Sequence, residues 1–189
     1  MKSKTFDLPF LNECFIANFI DGTLIWKIRP KSHFATENAW AIWNSKFSGK
    51  YAGNIDKSSQ SETLMYRRIT MSSLKSCSVH RILYAMFHED PVPPVIDHLD
   101  GNGLNNSISN LIPSTSVKNA KNKKRGRNNK TGILGVSWNS NGEYWECKIG
   151  SVENRDEYKR KLFKDFFEAC CQRKAWENEF NYTKRHGSK

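Results

Sequence analysis

The chain has 189 residues, 38% of them hydrophobic and 12% aromatic, with a formal net charge of +11. That length allows one sizeable domain or two to three small ones, and the smaller division suits this text better. So large a positive charge points to a polyanionic partner. A membrane is excluded because no apolar run approaches the roughly 18 to 20 residues of a span and no long basic amphipathic helix is evident, which leaves nucleic acid. The five cysteines, Cys14, Cys77, Cys147, Cys170 and Cys171, contain no C-x-x-C pair, so neither a structural zinc nor a disulfide framework is expected.

The opening MKSKTFDLPFLNECFI is interrupted by Asp7, Pro9, Asn12 and Glu13 before a signal-like apolar core forms, which predicts a cytoplasmic protein. Residues 13–28 then read as a hairpin turned at Asp21-Gly22, with Trp26 in its core. Residues 29–60 read as loop and short strand, in which Trp40, Trp43, Phe47 and Tyr51 suit core packing better than base stacking. LMYRRITM, residues 64–71, alternates like a strand and presents Arg67 and Arg68 on opposite faces, so that one of the two meets phosphate, Arg67 being the named candidate. These elements make residues 1–76 a β-rich DNA-binding arm.

Ser78 can cap a helix running to about His88, with Val79, Ile82, Leu83, Met86 and Phe87 at the spacing of a buried stripe. His80 in that helix suits packing or backbone bonding better than metal ligation. Pro91, Pro93 and Pro94 force an extended connection into the next strand.

That strand, Val95 to His98, begins the stretch VIDHLDGNGLNNSISNLIPSTSVKNAKNKK. The loop from Leu99 to Ser109 holds Asp-Gly, Asn-Gly and Asn-Asn, which tolerate left-handed backbone and bond their own main chain, so it should be tightly turned. Asn110-Leu111-Ile112 reads as a second strand. Ser114 or Thr115 can cap a following helix with Val117 and Ala120 on one side and Asn119, Asn122 and Lys123 on the other. Strand, loop, strand and helix would then bring Asp97 and His98 close to Asn119.

The text D-H followed by D-G-N-x-x-N-N-x-I-x-N-L and an asparagine on the helix resembles the HNH nucleases, specifically the phage group that includes intron-encoded homing endonucleases. The resemblance implies a ββα-metal core, placed at residues 77–125, that cuts a phosphodiester. Asp97 and Asn119 would supply two hard oxygen ligands, suited to Mg²⁺ or Mn²⁺ rather than zinc. His98 would act as general base, since its reference pKa lies near neutrality. Asn110 would clamp the loop by bonding to backbone and hold the histidine side in position.

After the helix, residues 118–130 form a dense basic run whose last part, 126–130, reads as a linker. Lys118, Lys121, Asn122, Lys123, Lys124, Arg125 and Arg127 are expected along the phosphate backbone, supplying affinity rather than sequence choice.

From Thr131 the text TGILGVSWNSNGEYWECKIG predicts two strands joined at Asn141-Gly142, followed by a third, basic strand near Tyr158 to Phe163. Asp165 and Glu168 mark the start of a helix that covers the sheet with Phe166, Ala169, Cys170, Trp176 and Phe180. K-T-G-x-x-G-V-S-W, the tryptophan-bearing second strand and F-x-x-x-x-E-A resemble the AP2 family of DNA-binding domains, with a longer turn at 151–157 and a basic tail as departures. The resemblance implies that the exposed sheet face enters a major groove. Trp138, Lys148, Lys159 and Lys161 are the expected contacts of residues 131–189.

The fold class read from the sequence is therefore α+β: an N-terminal β-rich arm, a ββα-metal nuclease core, and a three-stranded sheet with one helix. The function read from it is a site-specific nuclease on double-stranded DNA, of the homing type, in a phage-infected bacterial cell. A monomer, favoured over a dimer, would nick one strand. The rival is a DNA-binding regulator on the same scaffold without turnover, and a third reading is a structure-specific repair or packaging nuclease. The nuclease reading requires His98 to be within reach of water.

Overall fold

The computed structural model describes residues 5–57, 65–71, 74–89, 91–126, 128–151 and 154–188. Within these the chain is a mixed α+β protein made of two compact units, residues 1–115 and 116–189. The boundary falls just before the helix that carries Asn119.

The first unit opens with α1 (Leu8–Cys14), where Asp7 accepts the Phe10 N–H and Pro9 sits in the first turn. The residues that break a signal-like run are thus the ones that start a helix. Strands β1 (Phe15–Asn18) and β2 (Thr23–Trp26) form the expected hairpin. Its turn spans four residues rather than two, because the Asn18 carboxamide accepts the Ile20 and Asp21 N–H groups. Within residues 29–57 the loop and short-strand reading fails at α2 (Glu37–Phe47), a helix capped by Thr36. Trp40, Trp43 and Phe47 stand at helical spacing, and Trp43 packs its ring against Trp26, Phe34 and Phe47. Two helices therefore qualify the β-rich description of this segment.

Strands β3 (Asn54–Lys57), β4 (Met65–Met71) and β5 (Lys75–Ser78) make a three-stranded antiparallel sheet. Leu64, expected to begin β4, lies outside the described residues. Next comes α3 (Val79–His88), starting after Ser78 without a side-chain cap bond and ending at Glu89 in the left-handed region. It packs on α1, β2, β4 and β5, and its Val79, Ile82 and Leu83 are sealed in the core with Leu11, Phe15, Leu24 and Ile69. Each such aliphatic side chain contributes about 1.5–3 kcal/mol on burial. Phe87, assigned to that stripe, is exposed. The unit closes with the hairpin of β6 (Val95–His98) and β7 (Leu111–Ser114). Asn110 belongs to a 3₁₀ turn before β7, not to the strand.

In the second unit, α4 (Ser116–Lys121) is short, and Val117 and Ala120, expected on a packed side, are exposed. Strands β8 (Val136–Asn139), β9 (Tyr144–Ser151) and β10 (Asn154–Phe163) form an antiparallel sheet in the order β10-β9-β8. Helix α5 (Phe166–Glu179), capped by Asp165, covers one face over Val136, Cys147, Ile149, Ala169 and Trp176. Burial pushes the Cys147 thiol up to about 11, as expected of an inert core cysteine. Beside this core Arg173 donates to Glu177, to the Lys148 carbonyl and towards His186, tying the last turns of the chain to α5.

Candidate active site

The β6-β7 register sets the chemistry of the Asp-His pair. Asp97 lies opposite Ile112 and His98 opposite Leu111, so the two side chains leave opposite faces of the hairpin. Ile112 is partly solvent-facing and Leu111 is core. Asp97 is half-buried and its Oδ1 accepts the His98 N–H at 3.0 Å. His98 turns inward, 4% exposed, against two rings, His80 at 5.0 Å and Tyr66 at 5.9 Å between centroids.

A buried polar partner of the His98 ring is Asn106, whose Oδ1 lies 3.2 Å from Nε2. Where the Asn106 oxygen accepts this bond, the proton sits on Nε2. Asn106 is buried in the loop, and the sequence reading missed it. It is the second residue of the Asn105-Asn106 pair, which looks like ordinary turn chemistry until a fold supplies its partner.

The loop around it is built from asparagine and aspartate bonds. Asp100 accepts the Asn102 N–H at 2.8 Å, and Asn102 accepts the Leu104 N–H at 3.1 Å. Asn110 accepts the Asp100 N–H and donates to the Asp100 carboxylate and the Asn105 carbonyl, so one amide spans the loop. Burial tends to raise the Asp100 carboxyl, but the Asn102 N–H and the Asn105 and Asn110 amides outweigh it and hold the group below its usual range.

Two outside contacts brace the loop. The Ile108 N–H donates to the Phe19 carbonyl at 2.9 Å, and Gly22, at φ +66°, lies so close that a Cβ would sit 2.2 Å from the Asn106 carbonyl carbon. The turn of the β1-β2 hairpin therefore buttresses the residue that holds His98. On the other side Gly103 is pressed against the Met65 carbonyl and the Tyr66 ring.

His80 is held neutral by burial, with the neighbouring His98 adding to the effect, and its pKa falls to about 3. It therefore serves as packing beneath the catalytic candidate rather than as a second base. Burial, with the Asp97 charge behind it, raises the Tyr66 phenol. No group of three His, Cys, Asp or Glu side chains able to hold a metal occurs among the described residues.

Asn119 lies on α4 in the second unit and is exposed. Within that unit the basic run is tied down rather than loose. Lys121 Nζ donates to the Phe180 carbonyl, Arg125 Nη1 to the Gly132 carbonyl, and the main chain of Lys123 and Arg125 bonds Gly187 and Ser188. Lys118 and Lys123 are exposed, and Asn122 and Lys124 half-buried. Arg127 lies outside the described residues. In the first unit, Arg67 spends a donor on the Gly53 carbonyl, while Arg68 contacts Ser76 and Asp56.

Register also sorts the expected sheet contacts. Trp138, Lys161 and Lys159 lie opposite or beside Trp145, Cys147 and Ile149, on the face that α5 covers. Lys159 accordingly pairs with Glu179 of α5 and sits over the Phe180 ring. Trp138 nonetheless stays 48% exposed at the sheet edge, its ring tilted against Trp145. Of the four expected residues only Lys148 stands on the free face, where Arg160 lies directly opposite it and both meet Glu146. Arg160 was passed over because a strand's parity is invisible until its register is known.

Residues 77–121, from β5 through α4, match the HNH endonuclease family. This stretch is therefore similar to HNH endonucleases. A stretch of 61 residues is 39% identical to Protein 3.8 of Escherichia phage T7 and covers 31% of this chain and 50% of that protein. The chain thus spans about half the length of the curated relative it matches. No solved structure is significantly similar. Among the described residues no helix is long and apolar enough to cross a membrane.

Proposed function

We propose that the chain is a site-specific HNH DNA endonuclease of the phage homing type, with His98 as general base and Asp97 and Asn119 as ligands of one Mg²⁺ or Mn²⁺. The observation that carries this reading is the His98–Asn106 bond inside an Asn110-clamped loop, within the stretch similar to HNH endonucleases. That similarity runs on to Lys121 and so takes in α4 and Asn119 with the β6-β7 hairpin.

One half-buried carboxylate and one amide are a sparse donor set of hard oxygens, which suits an ion that keeps water and phosphate in its remaining positions. When bound, that ion supplies charge neutralisation at the non-bridging and leaving oxygens. His98 takes the proton from water while Asn106 holds its ring in place. The water oxygen bonds to phosphorus, the P–O3′ bond breaks, and the 3′ oxygen departs. Asn110 keeps the loop, and through it Asn106, at the distance this needs.

The second unit is proposed as an AP2-like reader of double-stranded DNA, its free sheet face carrying Lys148 and Arg160, with the basic run from Lys118 supplying phosphate contacts. One site per chain makes a monomer a nicking enzyme in the infected cell.

The rival reading is a DNA-binding regulator on a nuclease scaffold. It is favoured by the 4% exposure of His98, which puts the ring out of bulk water. Supercoiled plasmids carrying candidate sites, incubated with the full chain with and without Mg²⁺, decide between them. Metal-dependent relaxation lost in His98→Ala and Asp97→Ala establishes the nuclease. Sequence-selective binding with no nicking in Mg²⁺ or Mn²⁺ establishes the regulator, and cutting indifferent to sequence removes the homing assignment.

A further inference from the structure

The first unit holds a cavity of about 450 Å³ that the nuclease reading does not use, with Trp26, Arg29, Trp43, Tyr51, Arg68 and Ser76 in its walls. Its volume falls in the range of small-molecule sites.

Arg29 is the unusual member. It is 7% exposed, and its guanidinium carbon lies 4.7 Å from the ring centroids of both Phe34 and Trp43. Its Nε donates to His33 Nδ1 at 3.3 Å, and His33 in turn contacts Glu13 through Nε2. The Cys14 thiol also lies beside the guanidinium. Among the described residues no carboxylate lies within 4 Å of it, and neither Nη group has an oxygen acceptor. Two aromatic faces offset only part of the cost of burying such a charge. What they do instead is fix the plane of a cation whose remaining donors find no anion among the described residues. An arginine held in this way suits a phosphate, which accepts two parallel N–H bonds.

The rest of the cavity says what the phosphate is attached to. Tyr51, 68% exposed, also lines the cavity, and its backbone bridges to Ile25. Arg68 stands in the same wall with only a 3.9 Å contact to Asp56, and Ser76 accepts its Nε–H. Asp56 also lines the cavity, which disfavours a second phosphate group.

We propose that this cavity binds a nucleoside monophosphate unit, its phosphate on Arg29 and its base stacked on Tyr51. The unit is either a free nucleotide or an unstacked nucleotide of a DNA strand. Binding there does not depend on catalysis at His98, so it stands or falls apart from the nuclease reading.

The test is titration of the metal-free, full-length ¹⁵N-labelled protein with dAMP, deoxyadenosine, inorganic phosphate and a short single-stranded oligonucleotide, following the tryptophan indole N–H signals. Saturable shifts of Trp26 and Trp43 with dAMP are expected, with Trp138, Trp145 and Trp176 still. Deoxyadenosine or phosphate alone should bind about tenfold more weakly or worse, since each forgoes either the ion pair or a stacking contact. Arg29→Gln and Tyr51→Ala should each weaken dAMP by about tenfold or more. Should Arg29→Gln unfold, as circular dichroism would report, the exposed Tyr51→Ala decides alone. An oligonucleotide that shifts the same signals more tightly than dAMP identifies the strand as the source, and dAMP alone identifies the free nucleotide. No shift of Trp26 and Trp43 with any nucleotide, or unchanged affinity in Tyr51→Ala, overturns the proposal.

Discussion

His98 Nε2 and Asn106 Oδ1 lie 3.2 Å apart, and both side chains are buried. In a nuclease mechanism that bond fixes the tautomer and the tilt of the base. Asn106→Ala is expected to lower kcat with little change in KM and to move the acid limb of the pH–rate profile. His98→Ala should cost about 10²- to 10⁴-fold. Single-turnover nicking across pH checks both. A pH profile unmoved by Asn106→Ala would reduce that residue to loop packing.

Gly22 makes the same site depend on a distant turn. Its φ of +66° and the Asn106 backbone, with which a Cβ would collide, leave no room for a side chain. Gly22→Ala should destabilise the first unit by about 1–3 kcal/mol and reduce nicking with it. Urea denaturation followed by tryptophan fluorescence measures the first. A neutral substitution would mean that the hairpin turn does not brace the loop.

His80 predicts an acid-sensitive fold. Its pKa is about 3 when folded and 6.5 when free, so between those values the unfolded chain takes up a proton that the folded chain refuses. Stability is complete above about pH 6.5 and falls as pH drops towards 3, by about 1 kcal/mol per pH unit. Melting temperature recorded from pH 7 to 4 should show the decline, and His80→Phe should flatten it. An unchanged slope would assign acid sensitivity to other groups.

On the second sheet, parity separates the basic residues. Arg160→Ala and Lys148→Ala should weaken duplex binding and change sequence preference, whereas Lys161→Ala should alter affinity little. Fluorescence anisotropy with matched and mismatched duplexes distinguishes them. The reverse ranking would mean that DNA meets the edge near Trp138 rather than the free face.

The basic run predicts a salt effect. Replacing Lys118, Lys123 and Lys124 by Ala should weaken binding about equally on all sequences and lower the slope of log K against log salt by about one for each phosphate no longer neutralised. Arg125 is a poorer probe, since its guanidinium already holds the Gly132 carbonyl. A change in which sequence is chosen would contradict a backbone role for the run.

Much of this protein is written locally. Asp21-Gly22 and Asn141-Gly142 turn their hairpins, the stripe from Val79 to Leu83 seats α3, and Asp165 caps α5, because a turn or a cap needs only residues a few positions apart. The text of the Asp-His stretch was legible for the same reason: its loop bonds run between neighbours. What the tertiary structure decided are relationships between distant segments. Asn106 became a partner of His98 only when the loop closed over β6 and the first hairpin pressed on it. The aromatics of residues 40–47 became helix α2 when Trp26 and Arg29 gave them a surface, and Lys161 and Arg160 exchanged faces once β10 took its register on β9. Such choices cost no local energy to reverse. Only packing against another part of the chain makes one of them the lower.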